Sequence, residues 1–132
     1  MKQHDAGKRL KERFPKIKLV VVQPYPGSGL AGLRTVLDGY VPPILDMSTA
    51  DASEFVQDEE AFRVTRNITK KYGIFGGVSS GAVLAKSIQY AQNMDKGTVV
   101  TILPDGGWKY LSLRLWTTEP SLLVKKPHGQ LW

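Results

Sequence analysis

A glycine-rich stretch, Gly73-Ile74-Phe75-Gly76-Gly77-Val78-Ser79-Ser80-Gly81-Ala82, organises the rest of the chain. An apolar pair leads into a bend, two hydroxyl side chains follow, and a helical pattern then begins. Free backbone N–H groups at the start of a helix attract anions, and glycine lets a ligand approach the backbone closely. Either Ser79 or Ser80 can cap the helix, which leaves the other hydroxyl for another partner. The stretch alone is compatible with a capped turn without a ligand and with a binding site.

The composition of the 132 residues limits the class of protein. The hydrophobic fraction of 42% is enough for the packed core of a single domain. No apolar run approaches the roughly 18 residues of a membrane helix, and Met1 is not followed by the apolar core of a signal peptide. We therefore expect a cytoplasmic protein without membrane contact. Because the chain has no cysteine and only two distant histidines, His4 and His128, we expect no disulfide, histidine-based triad or metal cluster.

The net charge of +6 raises the question of a nucleic-acid partner. Seven of the 18 lysines and arginines lie between Lys2 and Lys18, and Lys125 and Lys126 lie in the tail. Aromatic side chains do not alternate with these basic residues, so no stacking platform for single strands is evident. The pattern favours a solvated basic face and no nucleic-acid partner.

Hydrophobic periodicity predicts alternating helices and strands. The predicted elements, in chain order, are a helix over 5–14, a strand over 18–23, a long irregular passage to Asp46, a short strand at 55–56, helices over 58–72 and 80–93, a strand over 98–103 and a short helix over 109–116. Alternation of this kind is typical of a parallel sheet with helices on its faces.

Several side chains have predicted roles within these elements. Ala6, Leu10 and Phe14 share one face of the first helix, and Leu84, Ile88 and Ala91 share one face of the helix over 80–93. In the helix over 58–72 we expect Asp58 to be the N-cap, Gly73 to end the helix, and Ala61, Val64 and Ile68 to form the buried stripe. Leu111 and Leu115 are expected to point inward from the last helix.

Two glycine bends are predicted at one edge of this sheet. Residues 76–81 follow the apolar pair Ile74-Phe75, interpreted as the end of a strand, and residues 104–107 follow the predicted strand over 98–103. The carboxyl ends of strands point the same way in an open parallel sheet. Ligands bind in the crevice at these ends. This argument favours a ligand site over a simple capped turn.

Four glycine-containing motifs in a fixed order carry a resemblance to a known family. They are 73–82, 99–112 with Asp105-Gly106-Gly107-Trp108-Lys109-Tyr110, 26–33 with Pro26-Gly27-Ser28-Gly29, and 39–46 with Gly39-Tyr40-Val41-Pro42-Pro43. The chain resembles the C-terminal part of a cysteine synthase (O-acetylserine or O-phosphoserine sulfhydrylase) of the pyridoxal-phosphate β-family that also contains cystathionine β-synthase. The resemblance implies an α/β fold, the C-terminal portion of a parallel-sheet, fold-type-II pyridoxal-phosphate enzyme. It assigns residues 1–116 to this domain and leaves 117–132 as a tail.

The resemblance implies a chemistry. Enzymes of this family use pyridoxal 5'-phosphate to replace the β-substituent of an activated serine with a sulfur nucleophile, by way of an aminoacrylate. The substrates are therefore a small amino acid and a sulfur donor, and the full enzymes are usually homodimers. The same scaffold serves cystathionine β-synthase and serine or threonine dehydratases, which remain alternatives.

The resemblance also implies the residues of the site. It places Ser79 on the pyridine nitrogen of the cofactor, with Gly77 and Ser80 beside it. Many members carry a serine at the position of Gly106, so its absence shifts weight to Ser79. Asp105 either approaches the ring nitrogen or is an ordinary turn aspartate. Gly39 matches the glycine near the substrate amino group.

The catalytic machinery that the resemblance predicts is incomplete. The Schiff-base lysine, the asparagine loop over the substrate carboxylate and the phosphate cradle of the family all precede the matched segment. No lysine of this sequence matches the catalytic position, so we assign no catalytic residue and no metal ligand. We expect these 132 residues alone to be inactive.

A different class of function stays open. A non-catalytic α/β module that binds a partner could use the basic first helix and the end of the tail, Leu131-Trp132, as contact surfaces. Such a module would unfold as a soluble monomer in a single transition.

Overall fold

The computed structural model describes residues 3–39, 41 and 46–124. Helix α1 covers Gln3–Arg13 and confirms the predicted first helix. Its apolar face is not buried, because Leu10 is 40% exposed and Phe14, just after the helix, is 56% exposed. The predictions for Met1 and for the tail end at Leu131-Trp132 lie outside the described residues.

Two parallel strands form the sheet. Strand β1 covers Val20–Pro24 and β2 covers Ala52–Val56, with Val20 opposite Ala52 and Pro24 opposite Val56. The parallel sheet is confirmed, and the strand predicted at Phe55-Val56 is longer than expected. The passage between the strands is irregular except for short 3₁₀ turns at Val36–Asp38 and Met47–Thr49.

Asp51 joins α1 to the sheet. Its carboxylate accepts hydrogen bonds from the Leu19 backbone N–H at 2.8 Å and from Lys11 Nζ at 2.9 Å. These two donors, the backbone N–H first, hold the pKa of Asp51 below its ordinary value. The start of β1 is thereby fixed to the last turns of α1.

Helix α2 covers Asp58–Tyr72, as predicted, and ends at Gly73, whose φ of 70° lies in the left-handed region that glycine adopts freely. The predicted cap is wrong: the N-cap is Gln57, and its side chain makes no capping hydrogen bond. Asp58 instead accepts hydrogen bonds from the Ser28 hydroxyl and, at 2.8 Å, from the Gly29 N–H. Its carboxylate therefore holds the loop after β1 rather than its own helix.

Helix α3 covers Val78–Gln92 and begins two residues earlier than predicted. Its N-cap is Gly77, with no side-chain capping bond, so the prediction that Ser79 or Ser80 caps the helix is wrong. Both serines lie in the first turn and are buried. Capping therefore does not explain why two hydroxyls stand at this position.

The core lies between α2 and α3. Ala61 and Ile68 of the predicted stripe are buried, and Val64 is partly buried against the core. The buried residues of α3 lie at its N-terminal end, whereas Ile88 is 42% exposed and Ala91 is exposed. The predicted α3 face is therefore not buried in this chain.

The strand predicted over Thr98–Leu103 is wrong. This segment carries no assigned secondary structure, and Val100 and Ile102 are 86% and 66% exposed. Its β-branched residues suit a strand, but a strand forms only beside a partner, and β1 and β2 are the only two strands in the described part of the chain. The β propensity of this segment is therefore not enough to make it a strand.

The helix predicted over residues 109–116 is also different in the structure. A 3₁₀ segment covers Gly107–Leu113, and its backbone departs from helical geometry at Tyr110. Leu115 is fully buried as expected, but Leu111 is 60% exposed. A short helix α4 covers Pro120–Leu123 and packs on α2, where Arg66 pairs with Glu119 at 2.8 Å. The domain boundary at residue 116 stays a prediction.

Across the described residues, none of the helices combines the length and the apolar character needed to cross a membrane.

Candidate functional site

The two glycine bends meet. Gly76 and Gly106 form an isolated antiparallel bridge. The Gly77 N–H donates to the Asp105 carbonyl at 3.0 Å, and the Gly107 N–H donates to the Phe75 carbonyl at 2.9 Å. The structure thus brings together the two motifs that the sequence placed at one edge, although neither follows an assigned strand.

Gly77 lets the second glycine bend, residues 104–107, lie against the start of α3. A Cβ at this position would overlap Asp105 Oδ1 and would lie 2.6 Å from the ring carbon Cε2 of Tyr110. The φ of Gly77 is −75°, which any residue adopts, so the requirement for glycine comes from space and not from backbone strain. Both obstacles are side-chain atoms, so the requirement reflects the placement of Asp105 and Tyr110.

Two buried polar atoms at this junction have no hydrogen-bond partner among the described residues: Ser80 Oγ and Asp105 Oδ1. Ser80 is fully buried and Ser79 is 5% exposed. A buried hydroxyl or carboxylate oxygen without a partner costs free energy, and native proteins rarely leave such atoms unpaired. Each of these two atoms therefore needs an explanation, and an unoccupied ligand contact is one.

The other carboxylate oxygen of Asp105 is held firmly. Oδ2 accepts a hydrogen bond from the Tyr110 hydroxyl at 2.6 Å, and Lys109 Nζ lies 3.8 Å away. Burial, with the hydrogen bond to the Asp105 carboxylate second, raises the pKa of Tyr110 to about 12. The phenol therefore stays protonated and remains a donor at neutral pH.

The sequence analysis did not assign a role to Tyr110. The residue lies inside a quoted motif, five positions after Asp105. That spacing does not match a regular helix contact, because residues in contact on a helix are three or four apart. Asp105 precedes the 3₁₀ segment, whose backbone departs from helical geometry at Tyr110.

Gly39 lies at the end of a different segment. It ends the 3₁₀ turn Val36–Asp38 with a φ of 86°, and an added Cβ there would meet no atom within 4 Å. No contact in the described structure joins Gly39 to the glycine bends. Tyr40 and residues 42–45 of the same predicted entrance lie outside the described residues.

A buried network that the sequence did not predict anchors this segment. Gln23 Oε1 accepts from the Thr35 hydroxyl at 3.1 Å and from the Val36 N–H at 3.0 Å, and Gln23 Nε2 donates to the Ser53 hydroxyl at 2.5 Å. Gln23 and Thr35 are almost completely buried. The turn that leads to Gly39 is therefore fixed to both strands of the sheet.

The polar groups near the junction of the bends are of the kind that the pyridine ring of a cofactor uses. Ser79 offers a hydroxyl with no capping role, and Asp105 Oδ1 is an acceptor without a described partner. The side chains of Asp105 and Tyr110 fill the space beside Gly77. A planar ring with one polar nitrogen would use such groups. No phosphate cradle is evident among them.

Comparison with known proteins shows which enzymes the chain is similar to. No protein-family model matches the chain. A cysteine synthase of Aquifex aeolicus is 41% identical over 118 residues, which cover 86% of this chain and 36% of that protein. A cysteine synthase of Staphylococcus aureus is 35% identical over 121 residues, which cover 86% of this chain and 39% of that protein. The chain is homologous to part of the cysteine synthases. It spans a little more than a third of the length of these relatives.

Solved structures of related enzymes have the same fold as this chain over the residues that superpose. The O-acetyl serine sulfhydrylase isoform 3 of Entamoeba histolytica superposes with a TM-score of 0.78 at 26% identity, covering 93% of this chain and 42% of that one. The O-acetylserine-dependent cystathionine β-synthase of Helicobacter pylori gives a TM-score of 0.72 at 35% identity, covering 83% and 38%. The predicted fold class, part of a parallel-sheet, fold-type-II enzyme, is confirmed.

Proposed function

We propose that the chain forms part of a pyridoxal-phosphate-dependent cysteine synthase. The reaction replaces the β-substituent of an activated serine, O-acetylserine or O-phosphoserine, with a sulfur nucleophile. The homology to cysteine synthases supports this function. The observation that carries it is the junction of the two glycine bends at the start of α3, where Asp105 Oδ1 is buried without a described partner.

The residues of the junction have distinct proposed roles. Pyridoxal phosphate, when bound, accepts electrons as the β-substituent leaves. Ser79, a residue that is 5% exposed and makes no described side-chain hydrogen bond, holds the ring nitrogen through its hydroxyl. Gly77 gives room for the Asp105 and Tyr110 side chains at the start of α3, and Ser80 and Asp105 supply further polar contacts. Gly39 lies near the substrate amino group.

The failure of the capping explanation supports the role of Ser79. A serine at the first turn of a helix normally satisfies a backbone N–H. Here Gly77 is the N-cap, and neither serine makes such a bond. The two hydroxyls therefore serve another purpose, and a ligand at the helix start is consistent with their burial.

We propose that the Schiff-base lysine comes from residues outside this sequence. Lys109 is the described lysine nearest to Asp105, and more than half of its side chain is exposed. It does not match the position that the family uses. On this basis the 132 residues alone do not form cysteine. The homodimer and the cytoplasmic location stay predictions.

A chimera tests the proposed function. The matched residues of this chain replace the corresponding stretch of the Aquifex aeolicus cysteine synthase, and cysteine formation from O-acetylserine and sulfide is measured. We expect activity in the chimera, none in the isolated chain, and a loss of up to about tenfold with Ser79→Ala, because a neutral hydrogen bond is worth about 0.5–1.5 kcal/mol. A folded chimera that binds the cofactor and makes no cysteine would contradict the proposal.

Cystathionine β-synthase activity is the second candidate. The similarity to the Helicobacter pylori enzyme at 35% identity favours it. The same chimera decides between the two, because sulfide and an amino-acid thiol can be supplied as competing acceptors. Preference for sulfide supports a cysteine synthase, and preference for the amino-acid thiol supports the second candidate.

A further inference from the structure

The segment over residues 98–103 makes none of the contacts that a strand needs. No backbone N–H or carbonyl group of this segment takes part in a described hydrogen bond. In a strand, Val100 and Ile102 would share one face, and Val99 and Leu103 would share the other. All four side chains are exposed, from 37% at Leu103 to 86% at Val100. The segment therefore has an open edge and two uncovered apolar faces.

Such a segment is suited to pairing with another strand. Backbone groups without partners on an extended segment are a template for strand pairing, and exposed apolar side chains that are contiguous mark an interaction surface. Residues 98–102 are all β-branched, and an unbroken run of this kind is typical of a central parallel strand that is covered on both faces. The segment has the sequence of a buried strand and the surroundings of an exposed one.

Helix α3, which leads into this segment, lacks cover as well. Its buried residues end at Ala85, whereas Ile88 is 42% exposed and Ala91 is exposed. The helix that precedes a parallel strand normally packs on the sheet that the strand joins. The uncovered end of α3 and the unpaired segment thus indicate the same missing part, a sheet beyond the two strands of the described chain.

The segment is fixed at its C-terminal end. It runs into the second glycine bend, where the Gly77 N–H donates to the Asp105 carbonyl at 3.0 Å and the Gly107 N–H donates to the Phe75 carbonyl at 2.9 Å. These two bonds hold the bend against the start of α3. An incoming strand therefore meets a segment whose position is already restricted, which lowers the entropy lost on pairing.

We infer that residues 98–103 are the docking edge for the part of the cysteine synthase fold that lies outside the matched region, and that they become a strand when a strand of that part pairs with them. The choice of partner follows from the lengths. The match covers 86% of this chain and only 36% of the Aquifex aeolicus cysteine synthase, so most of that relative lies outside it. The inference rests on this homology and not on the proposed reaction.

Amide hydrogen exchange in the isolated chain and in the Aquifex aeolicus chimera tests the docking edge. The chimera supplies the rest of the fold, and the isolated chain is measured at several concentrations to detect pairing between copies. We expect the amides of residues 99–103 to exchange about a hundredfold or more slowly in the chimera than in the isolated chain. Amides of the buried residues of α2 serve as the internal reference, because this helix is formed in the isolated chain.

A lysine at the most exposed position of the segment sharpens the test. Val100→Lys should leave the urea midpoint of the isolated chain unchanged, because Val100 is exposed there. In the chimera the same lysine would be buried against the added sheet, so the amides of residues 99–103 should exchange about tenfold or more faster than in the unmodified chimera. Gln92→Lys adds the same charge at the exposed end of α3 and serves as the matched control.

The remaining outcomes separate the docking edge from the reaction. Fast exchange of residues 99–103 in a chimera whose α2 is protected overturns the inference, whether or not cysteine is formed. Protection in the isolated chain that increases with concentration shows that a second copy occupies the edge, and it overturns the inference too. A chimera that protects the segment and makes no cysteine supports the docking edge and contradicts the proposed function alone.

A second measurement decides if the chimera does not fold. The part of the Aquifex aeolicus enzyme outside the match is added as a separate polypeptide to the isotope-labelled chain, and the matched stretch of that enzyme is the positive control. We expect the amide signals of residues 99–103 to shift on addition. Unchanged signals overturn the inference.

Discussion

The start of α3 has two sides that use glycine for different purposes. On the side of α2, Gly81 lies so close to its neighbour that a Cβ would overlap the Ala61 carbonyl and the Thr65 hydroxyl. The Thr65 hydroxyl already donates to the Ala61 carbonyl at 2.8 Å. This side is a closed helix contact in which the polar groups are satisfied.

On the side of the second glycine bend, the contact is different. Gly77 faces the side chains of Asp105 and Tyr110, and Asp105 Oδ1 is buried without a described partner. Within five residues, one glycine therefore serves helix packing and another serves a polar site. The comparison shows that the glycines of one motif can have different roles, so ligand binding must be argued for each glycine separately.

The largest expected effect is at the closed contact. Gly81→Ala gains about 1 kcal/mol of helix propensity but forces α2 and α3 apart, because the obstacles include backbone atoms that cannot rotate. We expect a net loss of about 3 kcal/mol in the free energy of unfolding, measured in urea. Gln92→Ala, at the exposed end of α3, is the control. A loss below about 1 kcal/mol would show that the contact is not rigid.

Gly77→Ala should lower the free energy of unfolding by less than Gly81→Ala does. The added methyl meets the side chains of Asp105 and Tyr110, which can rotate, so we expect a loss of about 1–2 kcal/mol. The same variant should displace the Tyr110 ring signals in an NMR spectrum. A loss equal to that of Gly81→Ala would mean that the two sides do not differ in rigidity.

Ser80→Ala should leave stability unchanged or raise it by about 1 kcal/mol. The Ser80 hydroxyl is fully buried without a partner, so its removal ends a desolvation cost and breaks no described hydrogen bond. Urea unfolding of the isolated chain measures the change. Destabilisation by more than about 1 kcal/mol would reveal a hidden partner and remove one of the two unpaired atoms from the site.

The smallest expected effect is a pH dependence. Because the pKa of Tyr110 rises from its ordinary 10.0 to about 12 on folding, its contribution to stability is complete below pH 10 and is lost as the pH rises towards 12. We expect about 1 kcal/mol or less after solvent screening. Tyr110→Phe should flatten the decline of stability over this range, and an unchanged decline would contradict the assignment.

The sequence predicted the helices better than the strands. The bounds of α2 follow from its apolar stripe, its acidic first turn and Gly73, all of which are local signals. The segment over residues 98–103 has an equally clear strand pattern, yet a strand needs a hydrogen-bonded partner, which no local pattern supplies. The cap at Asp58 failed for the same reason, because its carboxylate binds a loop 29 residues away in sequence.

The site was predicted in part. The meeting of the two glycine bends follows from the order of the elements and from the resemblance, and the structure shows it. The pairing of Asp105 with Tyr110 joins the second glycine bend to the irregular 3₁₀ segment, and composition and spacing do not encode it. The division of the glycines into packing and site roles required the distances between α2, α3 and the second bend.

The central claim is that Tyr110 holds Asp105 at the start of α3, and the ionisation of Tyr110 tests it most directly. Tyrosine labelled with ¹³C at Cζ, assigned with Tyr110→Phe, gives the pKa of this phenol by NMR. We predict a pKa of about 12 in the wild-type chain and a smaller upward shift of the pKa in Asp105→Asn, in which burial, the larger cause, remains. The same titration in both chains would show that the two side chains are not paired and would contradict the account.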